Sequence, residues 1–337
     1  MKLEKIIKGI TVNEIIGDMA QEISGINMDS RLIEPGHIFI AVKGTQTDGH
    51  TYIQKAIESV VCQTEKDFEY IIVDNGSTDS TSDIIKELQK KYDKFDIKII
   101  TLKKNKGISG GRNTGIFAAT GEYVCFLDAD DYWRDDKLSI VKNVLKEKES
   151  INVCCHWEYH IKGESKEIGK YRNVDNQDPY KDLLLKGNCL STSAVAVERN
   201  LINSIGGFDE KLTSGEEDYD CWLRLARQGA KFYMIQEPLG FWVIRENSVS
   251  AKHIKHTEAV IEVVKEHLNN LDYVGLSKET IEKKNNKIIA RYWFACGRML
   301  SMAGKRREGN KVYKKALTIS PFYIKAIVGI LFNILHI

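Results

Sequence analysis

EYVCFLDADDYW, residues 122–133, joins an unbroken apolar run to a cluster of carboxylates. The run YVCFL has no polar face, so it reads as a strand buried on both sides, as in a parallel sheet. A second run of the same kind, YIIV at 70–73, ends in the turn sequence DNGS. Working outward, IFIAV at 38–42 and residues 97–102 read as further strands. Residues 52–63 and 80–90 read as helices, and another begins within the glycine-rich 107–115. The alternation predicts an α/β fold: a doubly wound, mostly parallel sheet with helices on both faces and a helical tail after His253. In such sheets ligands bind beyond the carboxyl ends of strands. Both acidic turns, at Asp74 and at 128–131, sit there.

The 337 residues are 42% hydrophobic with a net charge of +2. That is enough apolar residue for a sizeable core, and wholesale disorder is excluded. The near balance of charge argues against a nucleic-acid partner, which needs a basic excess on one face. Seven cysteines without a CxxC pair suit neither a zinc knuckle nor a disulfide framework, and buried, reduced thiols in a cytosolic protein are expected. No signal peptide is read at the start, and no apolar run reaches the roughly 20 residues needed to span a bilayer.

Four constellations could carry chemistry. In DADD (128–131) three carboxylates repel one another. They make either a hard-cation site for Mg²⁺ or Mn²⁺, or a solvated turn. DNGSTD (74–79) offers a carboxylate for a base or ribose, or simply ends a strand and caps the next helix. GISGGRNTG (107–115) resembles no Walker loop, but its backbone amides and Arg112 could meet a phosphate. EEDYD (216–220) opens the helical pattern 218–228. Its acids either favour the helix dipole or supply a general base.

In this order and spacing the motifs resemble the family 2 glycosyltransferases with the GT-A fold, from about residue 56 to 250. The carrying text is AIESVVCQTEKDFEYIIVDNGSTDST, NKGISGGRNTGI, ATGEYVCFLDADDYW and IGGFDEKLTSGEEDYDCWLRLARQG. The resemblance implies inverting transfer from a nucleotide-diphosphate sugar, a UDP-sugar for preference, to an acceptor hydroxyl in bacterial surface glycan assembly. It places Asp74 at the nucleotide base and Arg112 and Asn113 beside the nucleotide. Asp128 and Asp130 become the DxD pair for Mn²⁺ or Mg²⁺, with Asp130 favoured as direct ligand. Asp218 becomes the catalytic base, supported by Tyr219 and Asp220. Asn188, Ser191 and Thr192 would border donor and acceptor, and Arg245, near Ser248, the diphosphate. The acceptor would be a glycan or lipid-linked molecule.

The family's Pro-x-Tyr-Asn turn after its first strand is missing, and KGTQTDGH (43–50) stands there instead. The preceding stretch, ISGINMDSRLIEPGHIFIAVKGTQTDGHTYIQKAIE, resembles the N-terminal, UDP-binding domain of Mur ligases, with Ser30 near the nucleotide. The Gly-Lys-Thr loop of the ligases' ATP-binding domain is absent, which argues against ligase activity. The expected organisation is a Mur-like segment at 1–37, a transferase domain at 38–252 and a helical region at 253–337. The alternative is a catalytically impaired nucleotide-binding module made by this fusion, or a scaffold acting through its tail. Basic residues at 305–315 beside an apolar stretch at 322–334 fit either a packed terminal helix or peripheral contact with an anionic membrane. The expected location is cytoplasmic, at the inner face of the membrane.

Overall fold

The computed structural model describes residues 25–27, 37–39, 49–244, 253–271, 273 and 275–335. It divides into two units, Met1–Asp48 and Gly49–Ile337. In the first, strands β1 (Gly25–Asn27) and β2 (His37–Phe39) pair in parallel with Ile26 opposite Ile38. The strand expected at 38–42 is seen at its first two positions. Residues 40–42 lie outside the described residues.

The second unit begins with α1 (Gly49–Val61), whose apolar spacing buries Ala56, Ile57, Val60 and Val61. Next come β3 (Tyr70–Asp74), α2 (Thr81–Lys91) and β4 (Ile97–Thr101). β3 and β4 pair in parallel from Tyr70 opposite Ile97 to Asp74 opposite Thr101. This right-sized βαβ unit is what the alternation of apolar runs and helices requires. Then follow α3 (Gly107–Ala118), β5 (Tyr123–Cys125), β6 (Tyr132–Trp133), α4 (Lys137–Glu147), β7 (Val153–Lys162), β8 (Ser165–Gly169), α5 (Pro179–Lys186), β9 (Val195–Glu198), α6 (Arg199–Ser204), α7 (Glu217–Arg227) and β10 (Phe232–Val243).

The larger sheet has the order β5-β9-β7-β10-β6, with β8 on β7. It is mixed, which corrects the expected mostly parallel sheet. β7 and β10 run parallel, but β9 is antiparallel to both β5 and β7, β6 to β10, and β8 to β7. The expectation rested on runs without a polar face. Val195 and Val197 are fully buried in an antiparallel strand, so burial on both faces does not report direction. The connections do: Gly163, at φ +57°, turns β7 straight back into β8 as a hairpin.

Among the described residues β3 pairs with β4 alone and β5 with β9 alone. Between them runs a cleft of about 1480 Å³. It is lined by every residue of β3 and by every residue from Tyr123 to Asp128. Neighbouring side chains of a strand point to opposite faces, so an unbroken run of lining residues means that the backbone edges themselves face the cleft.

The main core lies between the sheet and α5, α7 and α8 (His253–Asn269). Phe208 stands edge-on to Phe126 at 5.5 Å and to Trp222 at 5.9 Å. α9 (Lys278–Met302), α10 (Arg306–Ile319) and α11 (Ile324–Leu335) form a second core. They approach closely because glycines meet side chains there: a Cβ at Gly297 or Gly329 would lie 2.6 Å from the Tyr313 ring. No helix among the described residues is long and apolar enough to cross a membrane. All seven cysteines are free; Cys154, Cys155, Cys221 and Cys296 are buried, and Cys62 is exposed.

Candidate active site

Asp74 closes β3 and is itself buried. Burial alone would raise its pKa. Hydrogen bonds from the Ser82 hydroxyl and from the Ser77 amide (3.0 Å) outweigh that and hold the carboxyl below its ordinary range. Gly76 follows at φ +75°, where a Cβ would sit 2.6 Å from the Asn105 amide, so only glycine lets this turn meet the next loop. Asn75 fastens that contact, donating to the Gly107 carbonyl (2.7 Å) and accepting from the Lys106 amide (3.0 Å).

Gly107 opens α3, which delivers Arg112 and Asn113 to different places. A one-residue step turns a helical side chain by about 100°. The Asn113 amide holds the turn before α7: it donates to the Phe208 carbonyl (2.9 Å) and accepts from the Phe208 amide (2.8 Å). Asn113 is thus spent on architecture. Arg112 enters the cleft and lies over the Phe208 ring at 5.3 Å. It donates to both carboxylate oxygens of Asp128 (2.9 and 3.0 Å) and to Glu217 (2.9 Å). The fork therefore binds the carboxylate at the end of β5 to the first residue of α7.

The acidic run splits by function. Asp128 keeps a partly exposed carboxylate, and Asp130 is half-buried beside it. Asp131 turns inward. Its oxygens accept from the Ser193 hydroxyl (2.6 Å) and the Val243 amide (2.9 Å), tying the loop to the end of β10. Burial, with Asp128 and Asp130 close by, pushes its pKa well up. Hard carboxylate oxygens from Asp128 and Asp130 suit Mg²⁺ or Mn²⁺, which draws its remaining ligands from water and phosphate.

On α7, Asp218 lies within electrostatic reach of Arg112 and Asp128. Burial first, then the neighbouring Glu217 and Asp128 carboxylates, raise its pKa to about 7 against the opposing pull of Arg112. A carboxylate poised near neutrality can take a proton at working pH. Tyr219 and Asp220, expected to support it, are rotated away. The Tyr219 hydroxyl donates to the Leu183 carbonyl at 2.9 Å. Asp220 meets Arg224 (2.7 Å) and His267 (3.1 Å), anchoring α7 to α8. Asn188 accepts from the Leu190 amide at 3.0 Å within its own loop. Arg245 and Ser248 lie outside the described residues. Sequence reasoning missed Glu217 as the partner of Arg112 and Ser193 as the partner of Asp131. The motif texts name the acids but carry no sign of which cation or hydroxyl each would meet.

A sheet whose acidic loop is bridged by an arginine to a carboxylate-bearing helix fits the GT-A glycosyltransferase architecture. The chain is similar to S. aureus TarS 1-349 in complex with UDP-GlcNAc, with a TM-score of 0.57 and 18% identity, over 85% of this chain and 86% of that one. It is also similar to the mannosyltransferase PcManGT from Pyrobaculum calidifontis in complex with GDP-Man and Mn2+ (TM-score 0.52, 16% identity, over 86% and 85%). The chain belongs to glycosyltransferase family 2. The profile of Glycosyl transferase family 2 matches residues 47–205, and the uncharacterized glycosyltransferase alr2836 of Nostoc sp. is 33% identical over 65% of this chain and 71% of its own length. The UDP-Glc:alpha-D-GlcNAc-diphosphoundecaprenol beta-1,3-glucosyltransferase WfaP of Escherichia coli is 29% identical over 76% and 92%. A different relative, the UDP-N-acetylmuramoyl-L-alanyl-D-glutamate--2,6-diaminopimelate ligase of Phocaeicola vulgatus, is 67% identical over 96 residues, 27% of this chain and 20% of the ligase. The Mur-like resemblance thus has a partial homologue, and the chain spans a fifth of it.

Proposed function

We propose that this chain transfers a sugar, with inversion, from a UDP-sugar to a hydroxyl of a lipid-linked precursor of a bacterial cell-surface glycan. The observation that carries the proposal is Asp218, raised toward neutrality by burial and by Glu217, beside the Arg112–Asp128 pair. UDP-GlcNAc in the TarS complex and the diphosphoundecaprenol acceptor in the name of WfaP support the donor and acceptor classes.

Asp218 takes the proton of the acceptor hydroxyl. The acceptor oxygen attacks the anomeric carbon from the face opposite the phosphate, the bond from that carbon to the phosphate oxygen breaks, and UDP leaves with the electron pair. Asp74 meets the nucleotide base, and Arg112 lies at the nucleotide end of the cleft. A divalent cation held by Asp130 and Asp128 would supply charge stabilisation for the departing diphosphate. Arg245 adds a positive charge there in this reading.

Asp218→Asn keeps the shape and removes the base. Transfer should fall by about 10²–10⁴-fold while UDP affinity, measured by calorimetry, is retained. Full transfer activity in this variant would sink the base assignment.

KGTQTDGH at 43–50, standing where the family has its Pro-x-Tyr-Asn turn, favours a second reading, an impaired nucleotide-binding module. Calorimetry of UDP with and without Mn²⁺, on wild type and Asp130→Ala, separates the two. Metal-dependent binding that is lost in the variant supports the enzyme. Binding without transfer or hydrolysis of a UDP-sugar supports the impaired module, and absence of binding by UDP and by other nucleoside diphosphates shows an inactive one.

A further inference from the structure

We infer that α11 docks the protein on the surface of an anionic bilayer, lying in the plane of the membrane. Of the eight exposed positions on this helix seven carry large apolar side chains: Ile324, Ile327, Val328, Leu331, Phe332, Ile334 and Leu335. The eighth is Lys325, and the helix contains no acid. Phe322, in the turn before it, is 90% exposed. Soluble monomers rarely leave so much contiguous apolar surface in water.

The face is not awaiting a partner within this bundle. Its opposite side is already seated: Ala326 and Asn333 are buried, and Gly329 packs on Tyr313. The Asn333 amide donates to the Asn310 side chain (2.7 Å), the Ser301 hydroxyl (2.9 Å) and the Arg306 carbonyl (3.4 Å). A Cβ at Gly309 would meet Ser301 Oγ at 2.4 Å, so the approach of these helices is built in.

Those same bonds put the last turn of α11 against the start of α10. There lies a basic stretch with six cations, Lys305, Arg306, Arg307, Lys311, Lys314 and Lys315, and one acid, Glu308, within residues 305–315; Lys315 is paired with Glu258 at 3.0 Å and belongs to the bundle. Lys305 and Arg307 are exposed, as is Met302 at the end of α9. An apolar helix edge rimmed by cations is what an anionic bilayer surface binds. The twelve described residues span about 18 Å, less than a hydrocarbon core of about 30 Å, so this length of helix suits the surface. A protein partner would call for polar groups that fix orientation. The outer face of α11 offers one lysine.

The test is co-sedimentation of the full chain with vesicles of phosphatidylcholine alone or with phosphatidylglycerol. Binding is expected to the anionic vesicles and to weaken with salt. Leu331→Ser with Phe332→Ser should weaken it by more than about tenfold. Lys305→Ala with Arg307→Ala should weaken it by about fivefold for each charge removed. All these side chains are exposed, so unchanged thermal unfolding checks that the variants fold. Absence of vesicle binding, or binding indifferent to both variants, overturns the proposal. So does a micromolar dimer that Leu331→Ser with Phe332→Ser turns into a monomer, which would make the face a protein interface.

Discussion

Asp218 gains its near-neutral pKa from burial and from two carboxylates, and Arg112 is the group that keeps it from rising further. A base works only when ionised. kcat/KM should therefore rise with pH through about 7 and level off above it. Replacing Arg112 by Gln removes the opposing cation, so the rising limb should move to higher pH. The same variant leaves Glu217 buried without its cation, which costs about 3 kcal/mol of stability. A pH–rate profile with urea unfolding checks both, and an unmoved limb would show that Arg112 does not act on Asp218. Asp74, Asp128, Asp130 and Asp218 were legible as candidates because each ends a strand or opens a helix in a recognisable text. The Arg112–Glu217 pair was not, since 105 residues separate the partners and no local pattern links them. Asn113 shows the converse. Its place in the glycine-rich motif suggested the nucleotide, but its amide has the right shape to satisfy both backbone groups of Phe208.

At the scale of elements, the turn between α6 and α7 is the most demanding. Gly207 has φ +74°, and a Cβ there would lie 2.3 Å from the Asn113 oxygen. Gly207→Ala must strain the backbone and displace the amide that holds Phe208 against Arg112. It should cost about 3 kcal/mol, seen as a lower urea midpoint with unchanged slope. A neutral result would mean that the turn relaxes freely. Helices α1, α2 and α7 were read nearly to their ends, because their apolar positions recur at helical spacing. Strand direction was not readable. β5 and the first three residues of β9 carry the same apolar text as a parallel strand, and their pairing is settled by what the intervening chain allows. The stretch from 150 to 200 hid most, since it holds a hairpin, a short helix and a 3-10 turn in quick succession.

For the molecule as a whole, the mixed sheet and the helical tail are separate apolar cores joined through α8, whose residues serve both: Val264 in the first and Ile261 in the second. The tail was legible as helical and charged, and its basic segment and apolar terminus were visible in the text. The seating of α11 through Gly297, Gly309 and Gly329 was not, because a glycine in a helix does not announce its neighbour. Each core also encloses a thiol. Cys155 and Cys221 sit in the large core, Cys154 on the far side of the sheet, and Cys296 among the tail helices. Burial pushes all four up, Cys154 to about 12. A thiol reacts as its thiolate, so these stay silent until their surroundings open, whereas exposed Cys62 reacts at once. The chain therefore carries a built-in clock for its own breathing. Timed alkylation read by mass spectrometry should show Cys62 first, then half-buried Cys125 and Cys189, and among the buried thiols Cys296 first, as the smaller core opens. Cys155 and Cys221 should follow together. Simultaneous reaction of the last three would mean that the tail and the sheet open as one unit.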